Sequence, residues 1–108
     1  MLEIYSLEEC PYSYSAEDLV YKKNIPATIY KVSRAHKDAA KKHLGNSTFP
    51  YIIYMEKTSK TVIGGFSDLE RLVNAAFVFC ELKMQNKTTD KMFKNFANIC
   101  YQNATNNN

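Results

Sequence analysis

The sequence predicts an α/β fold built as one small domain, and three observations carry that reading. Its patterns run strand, helix, strand, helix, then two closely spaced strands and a helix. A strand–helix–strand unit followed by a hairpin implies a mixed sheet, here four-stranded, with helices on its faces. The chain has 108 residues, the length of a single domain. Its apolar fraction of 45% is enough for a core, yet no apolar run approaches the ~20 residues that span a bilayer.

The elements follow in order. Residues 2–6 alternate apolar and polar side chains and read as a strand. Residues 12–23 have helical spacing, with Ala16, Leu19 and Val20 at i, i+3 and i+4, Pro11 where a first turn tolerates it, and Asn24 as a stop. Residues 27–32 are β-branched and aromatic, a second strand. Residues 35–44 form a second helix with Gly45 in the stop position. Residues 49–55 are the most strand-like run, a polar connector follows, and residues 61–63 make a short strand ended by Gly64-Gly65. Ser67 can cap a helix over residues 68–82, with Glu70 completing a capping box. Its apolar stripe is Leu69, Leu72, Val73, Ala76, Phe77 and Cys80, and Phe79 falls off the stripe.

Residues 1–82 are thus expected to be one domain, and residues 83–102 a helical extension. After a polar connector at 83–89, Thr89 or Asp90 can cap a helix in which Met92, Phe93, Phe96, Ile99 and Cys100 share a face. The pattern fits a cover over Phe77 and Phe79 better than a free interaction surface. The Asn-rich residues 103–108 have nothing to bury and are expected to be a disordered tail.

Charge narrows the function. Residues 1–82 carry equal numbers of acids and bases, so the net charge of +3 comes from Lys83, Lys87, Lys91 and Lys94 against Asp90. Four spaced lysines make no nucleic-acid stripe. Met1 to Tyr5 carry acid and lack a long apolar core, unlike a signal peptide. Three cysteines are too few and too odd a number for a secreted disulfide scaffold. The expected setting is a reducing cytoplasm without membrane attachment, where a cysteine is a working thiol or a metal ligand.

Cys10 stands out among the three. It lies at the junction of a strand and a helix, where free backbone N–H groups and the helix dipole stabilise a thiolate. Cys80 and Cys100 instead fall on apolar stripes, as structural cysteines do.

Cys10-Pro11-Tyr12-Ser13 matches the active-site motif of glutaredoxins in the variant with Ser in place of the second Cys. Thr48-Phe49-Pro50 resembles the family's Thr-Val-Pro segment, and Gly64-Gly65-Phe66-Ser67-Asp68 its Gly-Gly-x-x-Asp. The three motifs occur in order over residues 1–82, and the resemblance implies a thioredoxin-like βαβαββα fold with an extra C-terminal helix. It also implies roles. Cys10 would attack a glutathione mixed disulfide, with Tyr12 flanking the glutathione sulfur. Thr48 and the backbone of Phe49, ahead of a cis Pro50, would hydrogen-bond the glutathione backbone. Gly65, Ser67 and Asp68 would receive the γ-glutamyl end. Without a second thiol at Ser13 the chain would run a monothiol cycle, with glutathione as co-substrate and glutathionylated proteins as partners, and would act as a monomer.

Two positions depart from the family pattern. Leu7 stands where glutaredoxins usually carry Lys, and Glu8 and Glu9 add anions, which would leave Cys10 less acidic than in most members. Asn46 or Ser47 occupies a second position that is usually Gln, Arg or Lys. Arg34, Lys37, Lys41 or Lys42 could supply the missing cation for the glycine carboxylate. Two alternatives accompany the enzyme reading. One is a [2Fe–2S] carrier in which Cys10 and glutathione ligate a cluster shared by a dimer, although Pro11-Tyr12 replaces the Gly-Phe of dedicated carriers. The other is a non-enzymatic binding module with the C-terminal helix as its interface. No other metal site is expected.

Overall fold

The computed structural model describes residues 1–45, 47–81 and 90–106. Asn46, the connector at 83–89 with the Thr89 cap, and the last two residues of the tail lie outside the described residues, as does Leu82 at the expected end of the third helix. The elements are β1 (Leu2–Leu7), α1 (Pro11–Lys22), β2 (Ala27–Val32), a 3₁₀ turn (Arg34–His36), α2 (Lys37–His43), β3 (Tyr51–Met55), β4 (Lys60–Gly64), α3 (Phe66–Glu81) and α4 (Lys91–Asn106).

The strands form one mixed sheet in the order β2-β1-β3-β4. β1 pairs parallel to β2, with Ile4 opposite Ile29, and antiparallel to β3, with Ile4 opposite Ile52. β3 pairs antiparallel to β4, with a register shift between Ile52 and Ile53. This is the four-stranded α/β arrangement of the thioredoxin-like fold. Alternation along the strands divides the residues between two faces. Leu2, Ile4, Ile52 and Tyr54 face one core with Ala16 and Val20 of α1 and Leu69, Val73 and Ala76 of α3. The other face carries Tyr5, stacked on Tyr30 at 4.9 Å between ring centroids and tilted against Tyr51 at 5.9 Å. Ser6 and Lys31 both bind the Glu17 carboxylate, Lys31 at 2.7 Å, so one side chain of α1 ties β1 to the edge strand β2. Burial pushes the Glu17 pKa up, but Lys31 and Ser6 outweigh it and hold the carboxyl below its ordinary value.

Several boundaries differ from the sequence expectation, each for a local reason. α3 begins at Phe66 rather than Asp68, so Ser67 lies inside the first turn and does not cap it. Gly64 at φ +123° lets the chain turn early, and the Asp68 carboxylate reaches back to accept the Gly65 N–H at 3.1 Å. A Cβ on Gly64 would sit 2.3 Å from that carboxylate oxygen, so both the turn and the contact require glycine here. The second helix splits into the 3₁₀ turn and α2. β3 starts only after Phe49-Pro50, whose peptide bond is cis. Phe79 is buried rather than off the packing face, because the Phe93 ring meets it edge-on at 5.1 Å.

α4 is part of the same core. Phe96, Ala97 and Cys100 are fully buried in it, and Phe96 meets Tyr54 edge-on at 5.8 Å. Asp90 caps the helix by accepting the Phe93 N–H at 3.0 Å. The helix also continues beyond its expected end at Gln102, through Asn106, with the Asn103 side chain donating to the Ile99 carbonyl at 2.8 Å. Described residues 103–106 are therefore helical and not a disordered tail. No helix among the described residues is long and apolar enough to cross a membrane.

Candidate active site

Cys10 is the residue before the first turn of α1, in extended conformation, and Pro11 occupies the first helical position. Proline fits there because the first N–H of a helix has no intrahelical partner and its φ is already helical. The approach to Cys10 is pinned from two sides. Glu9 adopts a left-handed φ of 55°, and its N–H donates to the Tyr14 hydroxyl at 2.6 Å. The Arg34 guanidinium donates to the Glu8 carbonyl at 2.9 Å and the Glu9 carbonyl at 2.7 Å. The loop that presents the sulfur is therefore tied both to α1 and to the 3₁₀ turn.

The thiol is half-buried, with its Sγ 4.0 Å from the Phe49 carbonyl. Burial pushes its pKa up, but the Ser13 side chain, the amide groups of Ser13 and Tyr12, and the Arg34 charge together bring it below the ordinary cysteine value. No hydrogen bond from the Cys10 side chain caps the helix in the resting thiol, so these groups act by favouring the thiolate. The expected upward push from Glu8 and Glu9 is not among the influences on the sulfur, and Arg34 supplies a cation where Leu7 does not. Ser13 is fully buried, and its Oγ accepts the Leu7 N–H at 3.0 Å. That bond uses one lone pair of the hydroxyl and leaves its hydrogen free to donate.

Ser13→Ala is therefore expected to raise the Cys10 pKa and slow alkylation at neutral pH. In the wild type, alkylation rises with pH as the thiol ionises and levels off below the pH at which an ordinary cysteine would. Rates with iodoacetamide across a pH series check both, and an unmoved midpoint would exclude Ser13 from tuning the sulfur.

A cavity of about 240 Å³ opens beside Cys10. Leu7, Thr48 and Phe49 form part of its wall, and Arg34, Lys37 and Lys41 supply three cations. Lys42, the fourth candidate cation, does not line it. Pro50 is buried behind this wall, and its carbonyl lies 3.9 Å from where a Gly65 Cβ would be, so the cis-proline segment meets the start of α3. Tyr12 protrudes from α1, two-thirds exposed. Ser67 and Asp68 are exposed in the first turn of α3, and Asp68 is also paired with Arg71 at 3.3 Å. The motif residues thus divide between the Cys10 cavity (Thr48, Phe49) and the α3 start (Gly65, Ser67, Asp68), with Pro50 between.

Cys80 and Cys100 are buried between α3 and α4, away from this cavity. Cys80 Sγ donates to the Ala97 carbonyl at 3.3 Å, and burial, with Cys80 nearby, pushes the Cys100 thiol up to about 12. Both are free thiols. No group of three His, Cys, Asp or Glu that could hold a metal gathers among the described residues, so Cys10 is a lone thiol donor. A cavity of about 300 Å³ elsewhere, under Phe96 and Ile99, has no cysteine in its lining. Sequence reasoning missed Tyr14, for which no local signal exists, and read Ser13 only as a missing thiol.

A search against curated proteins gives no match. The family model described as Glutaredoxin matches residues 2–58, just over half of the chain. That span runs from β1 past β3 and holds both the Cys10 junction and the cis-proline segment, so the chain belongs to the glutaredoxin family, thioredoxin-fold proteins of thiol oxidoreductase chemistry.

Proposed function

We propose that this chain is a monothiol, glutathione-dependent oxidoreductase that reduces protein–glutathione mixed disulfides. The observation that carries the reading is the Cys10 thiol, half-buried at the start of α1 with a lowered pKa, opening onto a cavity with three cations.

The cycle follows from thiol–disulfide exchange. The Cys10 thiolate attacks the glutathione sulfur of the mixed disulfide. A Cys10–glutathione bond forms as the substrate's disulfide breaks, and the electron pair leaves with the protein sulfur, which takes a proton from solvent. A second glutathione, as its thiolate, then attacks the glutathione sulfur on Cys10. Glutathione disulfide departs and the Cys10 thiolate returns, so each turnover consumes one glutathione thiol, releases one protein thiol and passes the disulfide bond from the substrate to glutathione disulfide. Ser13 cannot enter this exchange, and its part is to favour the thiolate as nucleophile and as leaving group.

The remaining residues hold the tripeptide. Tyr12 flanks the sulfur, and the Thr48 side chain with the Phe49 backbone binds the glutathione backbone beside cis Pro50. The N–H groups at the start of α3, with Gly65 and Ser67, take the γ-glutamyl carboxylate. Asp68 takes the ammonium, since a carboxylate holding Gly65 N–H and Arg71 still has lone pairs. The cations at the Cys10 cavity take the glycine carboxylate.

The test is turnover of a glutathionylated model protein with glutathione, coupled to glutathione reductase, alongside intact-mass analysis. The reading requires both steady turnover and a single glutathione adduct on Cys10. Absence of both would end it.

A further inference from the structure

We propose that the cavity beside Cys10 selects mixed disulfides whose modified cysteine is flanked by acidic residues. The inference rests on the function proposed above and extends it to substrate class. Glutathione's glycine end brings one carboxylate, whereas Arg34, Lys37 and Lys41 all line the cavity. Lys37 and Lys41 are four residues apart on α2 and so share a face, and both are half-buried.

These charges are not cancelled locally. No carboxylate lines the cavity. Among the described residues the ion pairs are Lys22 with Asp18, Lys31 with Glu17 and Arg71 with Asp68, so none of the three cations is paired. The bonds from Arg34 to the Glu8 and Glu9 carbonyls fix its position but leave its charge intact. Glu8 and Glu9 are exposed on the loop, and neither lines the cavity. Leu7 and Phe49 contribute low-dielectric wall, which strengthens the field at the opening.

A bound glycine carboxylate and the Cys10 thiolate therefore still leave one positive charge in surplus beside the reacting sulfur. The protein sulfur must leave nearly in line with the disulfide, so the residues next to the modified cysteine pass this opening during the exchange. Acidic neighbours are drawn in and basic ones repelled.

The test uses two glutathionylated peptides, identical except for Asp and Glu or Lys beside the modified cysteine, with hydroxyethyl–glutathione disulfide as a small neutral-flank reference. At low salt the acidic peptide is expected to have a kcat/KM about tenfold or more above the basic one. The ratio should fall toward one near 1 M salt, where the screening length is about 3 Å. Lys37→Gln with Lys41→Gln should bring the low-salt ratio close to one. Lys37→Arg with Lys41→Arg, and Lys42→Gln outside the cavity, should keep the preference. Equal rates for the two peptides, with the small disulfide still turned over, would overturn the selectivity alone. A preference that survives the double glutamine change would do the same. No turnover of any mixed disulfide would remove the function reading and the selectivity with it.

Discussion

Cys10→Ser is expected to lower glutathione-coupled turnover by at least about a thousandfold, the scale on which loss of a nucleophile is felt. The thiolate is the reacting species in disulfide exchange, and a serine hydroxyl supplies neither comparable ionisation nor a sulfur to carry glutathione. Ser13, the helix amides and Arg34 remain in place in this variant, so it isolates the sulfur from its surroundings. The fold should be unaffected, since Cys10 is half-buried at a helix end and belongs to no core cluster. The coupled assay, with thermal unfolding as a control, reads the result. Residual turnover near the wild-type rate would shift the chemistry to another cysteine. The chain has only two more, Cys80 and Cys100, and both are buried where α3 and α4 pack together.

The second large effect concerns stability. Phe96→Ala is expected to destabilise the protein by about 3–5 kcal/mol, the usual cost of emptying a buried phenylalanine site. Phe96 is 1% exposed, the largest of the fully buried side chains, and its ring meets Tyr54 of the central sheet. The cavity left behind cannot collapse easily, because α4 itself is held in place by Cys80 to Ala97 and by Asn95 to Glu56 at 2.9 Å. Urea unfolding gives the free energy directly. A domain of this size loses roughly 4–8 °C of Tm per kcal/mol, so the midpoint should fall by at least about 12 °C. A change below about 1 kcal/mol would mean that α4 is an appendage, and that residues 1–82 hold together without it.

That second prediction also marks where the sequence was hard to read. The Phe79 environment depends on α4 crossing α3, a tertiary contact that no single-helix periodicity contains. The same is true of Tyr14, whose hydroxyl reaches the Glu9 amide only because the loop turns back on the helix. The start of α3 was misplaced because the sequence offers Ser67 and Glu70 as a capping box. The structure places Gly65 at the helix edge, with Asp68 reaching back, a choice made by the positive φ of Gly64. The sequence of elements along the chain, by contrast, was legible, because each strand carries its own alternation or β-branched run. Cys10 was legible for a similar reason. Pro11 fixes the helix start to one position, and the cysteine before it faces the free amides. The cations were half legible: a spacing of four puts Lys37 and Lys41 on one side of α2, but only the fold brings that side to the sulfur.

The seclusion of Cys80 and Cys100 has a consequence for how the proposed cycle handles oxidant. A dithiol protein can store an oxidising equivalent as its own cross-link and wait. Here the two spare sulfurs are buried between α3 and α4, away from Cys10, and burial pushes the Cys100 thiol up to about 12, so neither is placed to take over the oxidation of Cys10. Every half-finished turnover must carry a tripeptide passenger. In the proposed cycle the pace is thereby tied to the surrounding supply of reduced glutathione, and a shortage would leave the protein charged and idle.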